Sequence, residues 1–546
     1  MSANSATKIS GRIVDVLNRR EFDGIVTIVD GIIDSIDKAQ VVEDQVIIPG
    51  FIDSHVHIES SMLLPTEFAE AAIRHGTIST VSDPHEIANV LGLEGVKFML
   101  ENASKSPVKF YFGAPSCVPA TSFETAGAEL DAEHIRYLLS REDIVCLSEM
   151  MNIPGVLTND VSVDEKLQLA KTYGKIIDGH APGLTGDSLK KYVEAGIVTD
   201  HECVTLDEAL EKLSLGMKIQ IREGSAAKDL DELIPLLFDH YANCMLCSDD
   251  KHPDDLWEGH INLMVKRAIQ AGVPPMNVLW SASVTPVKLY NLDIGLLQPG
   301  DPADLLLVNN LDELTVLSTY IAGVQVSAQD HTGIDADQES PINIFNANIQ
   351  SPDDLKVYSK SEEIPVISVV DGNLVTEVFT WNPNRNSQDE ILIDLDNDIL
   401  KIAVLNRYNL SRPSIGFIRN FGLKQGAIAS SVAHDSHNIV AVGTSDEMLA
   451  KGINEIIRAQ GGIAAVTADD EMILPLPVAG IMSMQNAYDV GQMYHDLDAR
   501  AKQLGSSLSA PFMTLSFMAL LVIPELKLSD KGLFDGTNFE LLKVFD

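Results

Sequence analysis

An α/β chain built around a (β/α)8 barrel of the TIM type is what this sequence predicts, and three observations predict it. Between residues 50 and 298, eight apolar strand-like runs alternate with helical patterns, the signature of βα units on a parallel sheet. No G-x-G-x-x-G follows any of these runs, which disfavours the alternative, an open doubly wound sheet. Residues able to bind metal stand at the C-terminal ends of several runs, the end at which such barrels carry their active sites.

The elements follow in order. Residues 8–14, 24–29, 31–36 and 45–48 read as short strands, with Asp30-Gly31 as a hairpin turn between two of them. Alone they bury too little to be stable. Their expected partners come much later, at 305–308 and 319–326. A small β-sandwich domain built from both flanks, residues 1–49 and 299–340, is therefore expected around a barrel at 50–298. The barrel strands are predicted at 50–57, 76–82, 109–114, 144–149, 175–180, 197–201, 218–222 and 245–249. Helices are predicted at 64–75, 95–103, 132–139, 163–173, 186–195, 206–215 and 230–241. A polar stretch from Gln329 to Ser340 opens a C-terminal α+β domain, residues 341–546. Its strands are expected at 366–370, 391–393, 401–404, 427–430 and 439–442, with a helix at 445–460.

Composition narrows the partners. The 546 residues carry 79 acidic against 39 basic side chains, a formal charge of −40. Such a surface repels polyanions, so neither nucleic acid nor an anionic membrane is an expected partner. The strongest apolar stretch, 512–523, is too short to span a bilayer, and the first residues lack a signal pattern. A cytoplasmic location is expected. Cys117, Cys146, Cys203, Cys244 and Cys247 form no disulfide framework and are read as buried thiols.

The chemistry gathers where the predicted barrel strands end. His55 and His57 lie two apart on the first strand, so both imidazoles face one side. Glu149 ends the fourth strand, His180 the fifth, His201 the sixth and Asp249 the eighth. Four imidazoles and two carboxylates are too many for one tetrahedral zinc. They suit two divalent ions bridged by a carboxylate and a hydroxide, and mixed N/O ligation without thiolate fits Mn2+, Fe2+ or Zn2+. Cations lower the pKa of such a water, and Asp249 can accept its proton and return it to the leaving group.

The chain resembles the amidohydrolase superfamily, and within it the adenine deaminase family. The likeness is carried by residues 49–61 (Pro-Gly-Phe-Ile-Asp-Ser-His-Val-His-Ile-Glu-Ser-Ser), Ser82-Asp-Pro-His85-Glu86, Ser148-Glu-Met-Met-Asn152, Asp178-Gly-His-Ala-Pro-Gly183, Thr199-Asp-His-Glu202 and Cys247-Ser-Asp-Asp250. It extends to Ala433-His434-Asp-Ser-His437-Asn438 in the C-terminal domain. The resemblance implies that His55, His57 and Asp249 bind one metal. It implies that Glu149 bridges to a second metal held by His180 and His201, with Mn2+ or Fe2+ favoured and Zn2+ an alternative. The implied reaction is hydrolysis of adenine to hypoxanthine and ammonia, a step of purine salvage and adenine catabolism.

Further residues are candidates for substrate binding: Glu59 and Ser60 beside the His-x-His pair, His85 and Glu86 after the second strand, and Glu202 after a ligand. The polar segment holding His434 and His437 is expected to cover the barrel mouth and contact the purine. Two other readings stand beside deamination of adenine. One is a cyclic amidohydrolase of the dihydroorotase or hydantoinase type, which leaves the C-terminal domain unexplained. The other is a metal-dependent scaffold, which retention of all six ligand-type residues opposes. By analogy with barrel hydrolases, a homodimer or higher homo-oligomer is expected.

Overall fold

The computed structural model describes residues 6–328, 331–332 and 340–544, so most of the polar stretch from Gln329 to Ser340 lies outside the described residues. Eight parallel strands form the barrel: β1 (Phe51–Val56), β2 (Thr77–Ser82), β3 (Lys109–Ala114), β4 (Ile144–Met150), β5 (Ile176–Gly179), β6 (Thr199–Asp200), β7 (Lys218–Arg222) and β8 (Cys244–Cys247). β1 to β5 pair in sequence as one sheet and β6 to β8 as another. The sheets meet at both ends. Val198 N–H donates to Ile177 O at 3.0 Å between β5 and β6. A parallel bridge joins Val56 to Asp249, with Asp249 N–H on His55 O at 3.0 Å. The strand-like runs read from sequence are these eight strands, with ends that agree to within two residues.

β1 and β2 are buried along their whole length, as expected of a parallel sheet whose outer face is covered by helices. Gly179 has a local reason: a Cβ there would meet Thr199 O at 2.4 Å, so only glycine lets β5 approach β6 beside His180. The helix expected at 230–241 is two short helices, Leu230–Leu233 and Leu236–Asp239. Pro235 stands between them, and its missing N–H and bulky ring interrupt the helical ladder.

By compactness the chain divides into two units, one comprising Met1–Pro84, Phe98–Ser116 and Asp131–Asp337, the other His85–Lys97, Cys117–Leu130 and Gln338–Asp546. The first unit holds the barrel and an eight-stranded sheet drawn from both of its flanks. In that sheet Leu305–Val308 pairs antiparallel with Val46–Pro49, which itself lies parallel to Thr7–Asp15. Arg20–Val29 and Ile32–Lys38 continue it on one side, Val316–Ile321 and Val324–Ala328 on the other. The turn at Asp30-Gly31 has φ of 51° and 82°, the left-handed pair that a tight hairpin requires. Ile13, Val26, Ile33, Ile47 and Leu305 form its core.

The second unit centres on another eight-stranded sheet. Its order is Glu377–Trp381, Ile364–Ser368, Ser414–Arg419, Ile399–Leu405, Ile439–Gly443, Ala427–Ser430, Gly462–Val466 and Glu471–Pro475. Helix Asp446–Ala459 packs Leu449, Ile453 and Ile456 into its core, each such burial contributing roughly 1.5–3 kcal/mol. Ser445 caps that helix by accepting from Met448 N–H. The strand expected at 391–393 is only an isolated bridge between Arg385 and Ile391. All five cysteines are buried thiols, and burial pushes the Cys244 thiol up to about 12. Among the described residues no helix is long and apolar enough to cross a membrane.

Candidate metal centre

The six ligand-type residues come together at the C-terminal ends of the barrel strands. His55 and His57 bring their Nε2 atoms within 3.2 Å of each other. Asp249 Oδ1 lies 3.1 Å from His57 Nε2 and 3.6 Å from His55 Nε2. Glu149 reaches both sides of the cluster. Its Oε1 is 3.3 Å from His57 Nε2, while its Oε2 is 2.9 Å from His180 Nδ1 and 3.3 Å from His201 Nε2. His55 stacks on His201 with ring centres 4.0 Å apart. Among the described residues, His55–His57–Asp249 and His55–Glu149–His201 each offer three ligand atoms within 4.8 Å of one another.

Electrostatics and hydrogen bonding both suit cations here. Two neutral imidazole nitrogens facing each other at 3.2 Å can share one proton at most. His57 Nδ1 donates to Asp83 O at 3.1 Å, which leaves its Nε2 lone pair for a metal, the usual arrangement of a ligating histidine. Burial pushes the His201 imidazole down, but its bond to Glu149 and the nearby carboxylates of Asp249, Glu149 and Glu202 override this and raise it to about 9. Burial likewise pushes Asp249 up, and hydrogen bonds with His55 and His57 and the charge of Arg222 hold it well below the usual carboxylate range instead. The pocket thus asks for positive charge.

Supporting residues fix these ligands. Asp53 accepts from Ser248 N–H at 3.0 Å through Oδ1 and bonds His260 Nε2 at 2.8 Å through Oδ2, tying β1 to the end of β8. His260 therefore has a structural role, buried against Asp53. Lys212, fully buried on helix Leu206–Ser214, donates to Asp200 Oδ2 at 2.8 Å and Ala181 O at 2.6 Å. It thereby braces the residues flanking His180 and His201. Arg222, at the end of β7, donates to Asp249 Oδ2 at 2.9 Å. None of Asp53, Lys212 and Arg222 was marked for this site by sequence. Asp53 alone left a trace there, inside the Phe-Ile-Asp-Ser-His run.

The other candidates fall in definite places. Glu59 and Ser60 lie on the buried 3-10 turn Ile58–Ser61, where Ser60 Oγ donates to Asp250 Oδ1 at 2.5 Å. Glu202 Oε1 is 3.4 Å from His201 Nε2. In the second unit, Glu86 gathers three imidazoles: His434 Nδ1 at 2.5 Å from Oε1, His85 Nε2 at 3.3 Å from the same oxygen, and His437 Nε2 on Oε2. Ala433 N–H donates to His437 Nδ1 at 3.2 Å. That bond leaves the proton of neutral His437 on Nε2, facing Glu86. The His437–Glu86 contact is therefore a hydrogen bond in which the imidazole donates.

Comparison with known proteins places the chain. Residues 46–326 match the amidohydrolase family, and residues 373–540 match the adenine deaminase C-terminal domain. An adenine deaminase of Salinibacter ruber is 50% identical over 540 residues, covering 98% of each chain. One from Methanosarcina mazei is 48% identical over 551 residues, covering 98% of this chain and 99% of that one. A solved N-acetyl-D-glucosamine-6-phosphate deacetylase from Mycobacterium smegmatis superposes with a TM-score of 0.47 at 13% identity, over 59% of this chain and 100% of that one. With near-full-length identity of this order on both sides, this chain belongs to the adenine deaminase family of the amidohydrolases.

Proposed function

We propose that the protein hydrolyses adenine to hypoxanthine and ammonia, using two divalent cations held by the barrel. The observation that carries the reaction is the alignment with adenine deaminases through the C-terminal domain as well as the barrel. A dihydroorotase or hydantoinase reading would account for the barrel alone. The count of two cations rests on Glu149, whose oxygens face different imidazoles. His55, His57 and Asp249 would hold one ion, His180 and His201 the other, with Glu149 shared. Mn2+ or Fe2+, with Zn2+ as the alternative, matches a donor set of nitrogen and oxygen without thiolate. Bound there, such ions supply Lewis acidity and make water nucleophilic near neutral pH.

The protein's own groups do the rest. Asp249 is placed to take a proton from the attacking water and hand it to the departing nitrogen. A C–O bond forms at the amino-bearing carbon, the exocyclic C–N bond breaks, and ammonia leaves. Glu59, Ser60 and Glu202 line the approach from the barrel side and are the proposed handles for the base. Burial of the cluster excludes water and strengthens each of these interactions.

The decisive assay follows hypoxanthine and ammonia release from adenine by purified protein. Chelation should abolish turnover, and Mn2+ should restore it at two equivalents per chain. No turnover in Mn2+ would reject the reaction. Full activity with one equivalent would reject the shared role given to Glu149.

A further inference from the structure

Arg222 ends β7 with its guanidinium buried among three carboxylates. One terminal nitrogen donates to Asp249 Oδ2 at 2.9 Å and also to Glu202 Oε1, while Nε donates to Asp229 Oδ2 at 3.0 Å. The two acceptors on the shared nitrogen serve opposite halves of the donor cluster. Asp249 turns its other oxygen toward His57 and His55, at 3.1 and 3.6 Å. The Glu202 oxygen that takes Arg222 lies 3.4 Å from His201 Nε2 and 3.7 Å from His180 Nδ1. Two carboxylates this close repel strongly where water is scarce. A guanidinium, charged at every working pH, offsets that repulsion. Its bond to Asp229 stops the planar fork from turning away.

We propose that Arg222 is a positioning residue that sets the separation between the His55–His57–Asp249 half of the site and the His180–His201 half. It acts through Asp249 and Glu202 and touches no reacting atom. The proposal rests on the deamination reading above for its kinetic test, but not for its metal-binding test. Lysine is a poor substitute, because a point charge cannot hold three carboxylates in a plane as the fork does.

The test compares the wild-type enzyme with Arg222→Ala and Arg222→Lys, by adenine kinetics and by Mn2+ titration of the chelator-treated proteins. Partners that orient metal ligands usually govern about 10- to 100-fold in affinity or activity. Arg222→Ala should lose kcat by about that factor, with a smaller change in KM from the freed Glu202, and weaken Mn2+ binding to a similar degree. Arg222→Lys should fall between. Millimolar guanidinium should recover part of the kcat of Arg222→Ala and none of that of Arg222→Lys, whose side chain still fills the cavity. A folded Arg222→Ala with wild-type kcat and Mn2+ affinity overturns the proposal, as does a loss confined to KM. Should Arg222→Ala fail to fold, wild-type values in Arg222→Lys overturn it equally. Should the wild type leave adenine untouched, the deamination reading fails, and the Mn2+ titrations alone still decide for or against Arg222.

Discussion

Asp249 carries its carboxylate on a left-handed backbone, with φ of 54°, a region that costs most L-residues about 1–2 kcal/mol. The conformation is held from three sides: its N–H donates to His55 O, its O accepts from His57 N–H at 3.2 Å, and Arg222 takes Oδ2. Asparagine tolerates the same backbone region, so Asp249→Asn keeps the backbone while removing the charge, the proton affinity and one of the two acceptor oxygens. That variant should fold normally, keep much of its metal and lose on the order of 10²–10⁴-fold in kcat. Normal turnover by Asp249→Asn would place the proton transfer elsewhere. At this scale the sequence spoke clearly where chemistry and strand end coincide, as at His55, His57, Glu149, His180, His201 and Asp249. It was silent about Arg222 and Lys212, because an arginine ending a strand and a lysine on an amphipathic helix look like solvated residues. Only the folded chain shows carboxylates closing around them.

Among elements, strand Leu526–Ser529 shows how a local pattern misleads. Its alternation, Leu-Lys-Leu-Ser, reads as one apolar and one wet face, yet all four residues are buried. Lys527 donates to Leu374 O at 2.7 Å and Phe517 O at 3.1 Å. Burial alone pushes its ammonium down from 10.5 to about 7. Between these values the unfolded chain binds the proton and the folded chain does not, so stability rises with pH across the window. The contribution is complete above about 10.5 and is lost as pH falls to about 7. Lys527→Met removes the titrating group while keeping much of the volume. The stability difference between wild type and Lys527→Met should therefore move in favour of the wild type from pH 7 to 9.5, measured by denaturant unfolding. Parallel pH curves for the two proteins would refute the burial argument. Pro235 teaches the opposite lesson: its effect on the helix expected at 230–241 was written in the sequence, and the apolar periodicity around it masked the break.

For the whole molecule, the dominant unpaired quantity is charge. With 79 acidic and 39 basic residues, the basic side chains cannot neutralise the acidic ones even if all are paired. Many surface ion pairs that do form are local, such as Lys97–Glu94, Lys190–Asp187 and Lys502–Asp498, and such exposed pairs contribute little. The excess carboxylates repel across the surface, which opposes compaction. Added salt shortens the reach of that repulsion from about 10 Å at 0.1 M to about 3 Å at 1 M. The unfolded chain keeps its charges farther apart, so screening relieves the folded state more. The melting temperature of the metal-loaded enzyme should thus climb by at least ~3 °C between low salt and about 0.5 M NaCl. KCl should act alike, because screening depends on ionic strength and not on which monovalent cation supplies it. The rise should also flatten at higher salt, once the screening length drops below the spacing of neighbouring charges. A melting temperature that stays level, or that keeps rising linearly without a plateau, would show that self-repulsion is not what limits the stability of this acidic fold.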